Sequence, residues 1–168
     1  MKKLAFPIII LLVATLSSCL NGKYETTPVI LIDPLIFVNA DDTIGIVYNT
    51  TEAKYSTDTM LLGDTMFITV GFDAVGNNIT SGQIKYQSEY AELTVMGAPD
   101  LGDDFIPAIT DGAYDFTMAT GYRGIFLMFR YIPKKTGTAL LEFSIRSDSE
   151  FSPASFSLLT PIADPAAE

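Results

Sequence analysis

One cysteine, no histidine and a loose group of aspartates define the chemistry open to this chain of 168 residues. Cys19 is the sole thiol, so it has no partner for an intramolecular disulfide and cannot build a thiolate metal site. Without histidine there is no Ser-His-Asp or Cys-His pair, no imidazole-based zinc site and no side chain that ordinarily titrates near neutrality. Carboxylates gather in GAPDLGDDFIPAITDG, residues 97–112, which holds Asp100, Asp103, Asp104 and Asp111, with Asp115 just beyond. Such hard oxygen donors on a Gly/Pro loop suit Ca²⁺, which takes about 6–8 oxygens, although the spacing does not match the Asp-x-Asp-x-Asp-Gly loop. The same carboxylates could serve a hydrolase, which needs two of them at about 5 or 6.5–9.5 Å. A third candidate is Tyr122-Arg123, flanked by Gly121 and Gly124, where a ring and a planar cation at a loop tip would contact a glycan or a peptide. Each has an ordinary reading beside it. Aspartates in a Gly/Pro loop make solvated turns, and aromatics such as Phe116 fill cores. A small domain without tryptophan is a poor scaffold for a sugar hydrolase, so no catalytic residue is assigned.

The position of Cys19 says more than its reactivity. Met1-Lys2-Lys3 is a cationic head, Leu4–Ala14 is an apolar run of eleven residues, and Thr15-Leu16-Ser17-Ser18 brings small residues up to the cysteine. This is the layout of a secretory signal peptide. The run is shorter than the roughly 20 residues of a spanning helix, and Pro7 disfavours such a helix further. Leu16-Ser17-Ser18-Cys19 resembles the lipobox of bacterial lipoproteins at all four positions. The resemblance implies that the thiol is alkylated with a diacylglyceryl group, that the chain is cut before Cys19, and that the new amino group receives an acyl chain such as palmitate. Two or more acyl chains give stable anchoring, each buried methylene contributing about 0.8 kcal/mol. Residues 1–18 are then the signal peptide, 19–27 a lipidated tether and 28–168 the folded domain. Leu20 stands where an aspartate would retain a Gram-negative lipoprotein at the inner membrane, which points to the outer membrane. Some lipoproteins of Gram-negative gut anaerobes carry an acidic cluster just after the cysteine for display at the cell surface; the run Leu20-Asn21-Gly22-Lys23-Tyr24-Glu25 has one acid and not a cluster, so the resemblance favours the periplasmic face.

Removing Lys2 and Lys3 with the signal leaves 8 basic and 20 acidic side chains, a formal charge of −12. That argues against nucleic acid as a partner, because phosphate binding needs Lys and Arg. It argues equally against a peripheral hold on anionic lipid. The remaining 150 residues suit one domain, whose core must hold by burial without disulfides.

The strand signals are plentiful. Residues 28–39 read as an edge strand broken at Asp33-Pro34, since proline cannot donate to a ladder. Residues 44–49 are a short apolar run, and 50–59 a loop or weak strand. Residues 65–73 alternate, with Met66, Ile68, Val70 and Phe72 on one face. Gly76-Asn77-Asn78 is a turn, 79–90 a polar strand, 91–96 a further strand, and 97–112 the least regular part. Residues 114–118 are a strand, and 124–132 are apolar on both faces, which predicts a central strand. Ala139, Leu141, Phe143 and Ile145 point one way along 138–146, and 153–162 is the last strand. Short strands with frequent turns predict an all-β, antiparallel two-sheet sandwich. The closing strands, with Pro133-Lys-Lys-Thr-Gly137 as the corner between sheets, resemble immunoglobulin-like and fibronectin type III-like modules over residues 124–162.

These readings together lead to an expected lipid-anchored, non-catalytic binding or interaction module of the Gram-negative cell envelope. Its partners would be the bilayer through acylated Cys19 and an envelope protein or glycan; no cofactor is expected unless the acidic loop takes Ca²⁺. The alternatives are a glycan- or adhesion-type binder using Tyr122, Arg123 and the acidic loop, and a small carboxylate hydrolase.

Overall fold

The computed structural model describes residues 25–33, 36–39, 42–98, 100–119 and 121–165. Among them the chain forms β1 (Val29–Ile32), β2 (Ile36–Val38), β3 (Asp42–Ile44), β4 (Ile46–Asn49), β5 (Lys54–Thr57) and β6 (Met60–Leu61). The longer strands follow: β7 (Met66–Asp73), β8 (Ile79–Tyr86), β9 (Ala91–Gly97), β10 (Phe105–Thr110), β11 (Ala113–Met118), β12 (Gly124–Pro133), β13 (Gly137–Ser147) and β14 (Ala154–Ala163). A 3-10 turn, Gly102–Asp104, precedes β10.

These strands build an all-β sandwich of two sheets. The six-stranded sheet runs β3-β2-β7-β12-β9, with β1 also on β7; the eight-stranded sheet runs β10-β11-β8-β13-β14-β5-β4, with β6 also on β14. Both β1 and β2 pair with β7, on the side away from β12; β1 has no further partner among the described strands, whereas β2 is covered by β3, so the edge strand expected over residues 28–39 is an edge only in its first half. The corner Lys134–Thr136 carries the chain from β12 in the six-stranded sheet to β13 in the eight-stranded sheet. There Gly137 takes φ 131° at a spot where a Cβ would come 2.9 Å from the Tyr90 ring. Glycine is the residue that accepts both demands.

Alternation places the core. Met66, Ile68, Val70 and Phe72 from β7 and Ile125, Leu127, Phe129 and Tyr131 from β12 face Ile84, Leu141, Phe143 and Ile145 from the other sheet, all buried. Each large apolar side chain so buried contributes about 1.5–3 kcal/mol. One aromatic contact bridges the layers, Phe72 meeting Phe116 edge-on at 5.5 Å, and within the eight-stranded sheet Phe105 stacks on Phe116 at 5.4 Å.

Three expectations are corrected. The segment 97–112 is not irregular throughout, because Phe105–Thr110 is strand β10. Among the described residues it pairs only with β11, and an edge strand tolerates Pro107. The sandwich is not wholly antiparallel, since β14 runs parallel to β5 and β6. Residues 54–57, read as loop or weak strand, thus gain a partner about one hundred positions away, which no local pattern reports. Finally, β12 is central in its pairing but not in its burial: its second face, with Phe126 and Met128, is exposed.

Candidate functional site

The outer face of the six-stranded sheet carries an apolar strip that starts from a glycine. On β7 the outward positions are Phe67, Thr69, Gly71 and Asp73. Gly71 pairs with Leu31 of β1 on one side and Phe126 of β12 on the other. Having no side chain of its own, it lets the Phe126 ring lie over the strand; a Cβ there would stand 2.8 Å from Phe126 Cε1. A glycine in a strand interior marks such a close approach. Phe126 is 68% exposed, Leu31 52% and Met128 45%, with exposed Met96 on β9 beyond. Large apolar side chains grouped on one face mark an interaction surface, whereas scattered ones do not. A shallow concavity of about 210 Å³ lies among Leu31, Gly71, Asp73, Arg123 and Phe126.

Arg123 therefore sits at the end of this strip, exposed, with Gly124 starting β12 behind it. Its carbonyl accepts the Ala74 N–H at 2.7 Å, and the Tyr122 carbonyl accepts the Ile79 N–H at 2.8 Å, which ties the loop to the β7–β8 turn. Tyr122 is no free platform. Its ring is half-buried against the core, and its hydroxyl donates to Asp104 Oδ2 at 3.3 Å. Partial burial, then the charge and hydrogen bond of Asp104, push the phenol above its ordinary pKa.

The aspartates do not converge. Asp103 and Asp104 lie in the 3-10 turn before β10, whereas Asp111 lies in the turn after it. The six residues of β10 hold the two turns about 20 Å apart. That separation exceeds both the reach of one calcium ion and the spacing of a glycosidase pair. Asp100 is exposed, and Asp115 on β11 accepts a hydrogen bond from Gln83 Nε2. Among the described residues no three of the Asp, Glu, His and Cys side chains gather to hold a metal. The set Asp100, Asp103, Asp104 and Asp111 is thus corrected as a calcium site. Leu16, Ser17, Ser18 and Cys19 lie outside the described residues. Thr26, placed in the tether by sequence, is part of the fold: its hydroxyl donates to the Val75 carbonyl at 2.7 Å.

The eight-stranded sheet has the larger hollow, about 470 Å³, lined by Lys85, Gln87, Glu89, Asp111 and Glu142. Its walls are mostly polar side chains, with Tyr86 and Leu140 among them, and the same outer face continues through Ser81, Gln83, Asp115, Ser144 and Arg146. Solvated side chains of both signs are what any sheet presents to water, so size alone does not favour this hollow. Tyr48 and Tyr55 at the β4 edge are exposed too, but their rings pack on each other and Tyr55 stacks on Phe156.

Phe126, Met128, Leu31 and Gly71 were not candidates on sequence. The signal available was Gly71 at an outward position of the cleanest alternating strand.

No protein-family model matches the chain, and no curated protein matches it. Solved structures similar to it include the CaDoc0917–CaCohA2 complex, at 16% identity and TM-score 0.45, covering 62% of this chain and 94% of that one. The C-terminal domain of the Streptococcus agalactiae antigen I/II polypeptide BspA is similar at 10% identity and TM-score 0.47, covering 63% of this chain and 45% of that one. A DUF4466 family protein from Parabacteroides merdae is similar at 8% identity and TM-score 0.43, covering 73% and 42%. At these scores the likenesses carry no functional argument.

Proposed function

We propose that this chain is a lipid-anchored, non-catalytic interaction module of the Gram-negative outer membrane, facing the periplasm. A protein partner sits on the outer face of its six-stranded sheet. The lipobox-like Leu16-Ser17-Ser18-Cys19 supports the anchor. The exposed Phe126 ring over Gly71, with Leu31 and Met128 beside it, is the single observation that carries the binding face. Arg123 at the end of the strip supplies a planar cation of the kind enriched at protein interfaces.

Two measurements test the reading. Mass spectrometry of the membrane fraction is expected to find a chain that begins at Cys19 and carries diacylglyceryl and acyl groups, all lost in Cys19→Ser. A photo-crosslinking residue placed at Phe126 or Met128 in intact cells is expected to trap one envelope protein, while the same residue at Gln83 or Ser144 traps none. Equal trapping from both faces would refute the assigned face, and trapping of glycan alone would favour the glycan reading.

A further inference from the structure

The first described residues are stitched to one end of the sandwich. Besides its bond to Val75, Thr26 accepts a hydrogen bond at Oγ1 from Asn77 Nδ2 at 2.8 Å, and its carbonyl accepts one from Ser149 Oγ at 2.6 Å. Ser149 Oγ also accepts the Phe151 N–H at 3.2 Å. Thr26 is thus clamped between the β7–β8 turn and the β13–β14 turn. The chain from Cys19 to Thr26 spans at most about 25 Å however it runs. Whatever holds Cys19 is therefore close to this end. The opposite end, with the Lys134–Thr136 corner, lies about 30 Å away along the ten residues of β12.

The clamped end turns apolar side chains outward. Phe151, in the β13–β14 turn, is 53% exposed, and Val75, in the β7–β8 turn, is exposed as well; Val29, three residues after Thr26 and opposite Asp73, is exposed where the outer face of the six-stranded sheet meets this end. Val75 holds φ 48°, a region where a β-branched residue is an outlier. The turn accounts for it: Val75 and Gly76 are its two central residues, both with positive φ, and the Asn77 N–H donates to the Ala74 carbonyl at 3.3 Å. The charged groups around this end are mostly acidic: Glu25, Asp73, Asp103, Asp104, Asp148 and Glu150, against Arg123 and Arg146. An anionic surface is therefore disfavoured, and a zwitterionic one fits.

We propose that Val29, Val75 and Phe151 dock this end against the headgroup boundary of the zwitterionic bilayer that holds Cys19. The domain then stands end-on, with the outer face of the six-stranded sheet beyond Val29 free for its partner. The proposal rests on the lipid-anchor reading above. The tether makes docking intramolecular, so a patch too small to bind a bilayer alone suffices.

The chain has no tryptophan, so single substitutions report position. Full-length lipidated protein carrying Phe151→Trp, Met128→Trp or Thr136→Trp is placed in phosphatidylcholine vesicles with brominated acyl chains, and the mass of each sample reads the lipid on Cys19. The Phe151→Trp signal is expected to lose more than half its emission, and the Met128→Trp and Thr136→Trp signals to lose little. If Phe151→Trp does not fold, as read by circular dichroism, Val29→Trp reports the same end. Lipid on Cys19 with no quenching at position 151 or 29, or with equal quenching at 128, overturns end-on docking and leaves the anchor standing. No lipid on Cys19 overturns the anchor and the docking together.

Discussion

Two phenylalanines lie over a glycine of the neighbouring strand, one inside the sandwich and one outside it. Phe116 of β11 faces Gly82 of β8 on the inner side of the eight-stranded sheet, where it is 1% exposed. Phe126 of β12 faces Gly71 of β7 on the outer side of the six-stranded sheet. Both glycines make room for a ring: a Cβ at Gly82 would come 2.3 Å from Phe116 Cζ, and one at Gly71 would come 2.8 Å from Phe126 Cε1. Packing explains the inner pair, because Phe116 contacts Phe72 and Phe105 and helps to close the core. The outer pair has no such account, since water covers most of the ring. The same local device thus serves stability on one face and, in the reading proposed here, recognition on the other.

That contrast can be broken in order of expected effect. Phe116→Ala is expected to destabilise the fold by about 3–5 kcal/mol, from lost burial plus the cavity left between the sheets, read as a lower urea midpoint. A cost no larger than that of Phe126→Ala would erase the distinction between the two rings. Gly82→Ala is expected to cost about 1–3 kcal/mol, since the added methyl meets a ring that its neighbours hold in place. A neutral result there would mean that the core yields more than its packing suggests.

The inner face also holds the tyrosines that respond to pH. Burial raises the phenol pKa values of Tyr131 and Tyr114 above the ordinary tyrosine value of about 10. The folded chain keeps those protons at a pH where the unfolded chain has released them. Stability is therefore full below about pH 10 and declines as pH rises beyond it. Urea midpoints measured at about pH 8 and about pH 11 check this, and an unchanged midpoint across that range would contradict it. The smallest effects belong to the outer face. Gly71→Ala and Phe126→Ala should each alter stability by no more than about 0.5 kcal/mol, because an exposed ring can swing aside or be lost without opening a cavity. A large loss from either would move Phe126 into the structural account and weaken the assigned binding face.

The candidate site was less legible than the fold, and particular residues show why. Tyr122 and Arg123 stood out because aromatic and cationic residues between glycines suggest a loop tip. The structure keeps Arg123 exposed but turns Tyr122 toward Asp104 and the core. The aspartates looked like one group because they are close in sequence, yet β10 separates them by its full length. Phe126 and Met128 looked buried because both faces of 124–132 are apolar, and composition does not say whether anything covers the second face.

The sequence by itself determined the alternating faces of β7 and β13, the corner at Pro133–Gly137 and the lipobox-like stretch before Cys19. All are local: alternation follows from the two-residue period of a strand, and proline and glycine act on their own backbone. Tertiary structure alone decided that β5 runs parallel to β14, that Pro107 sits in an edge strand, and that Phe116 is covered while Phe126 is not. Those outcomes depend on which distant strand arrives alongside and on whether a second layer lies above it. A side chain's chemistry is the same in either case.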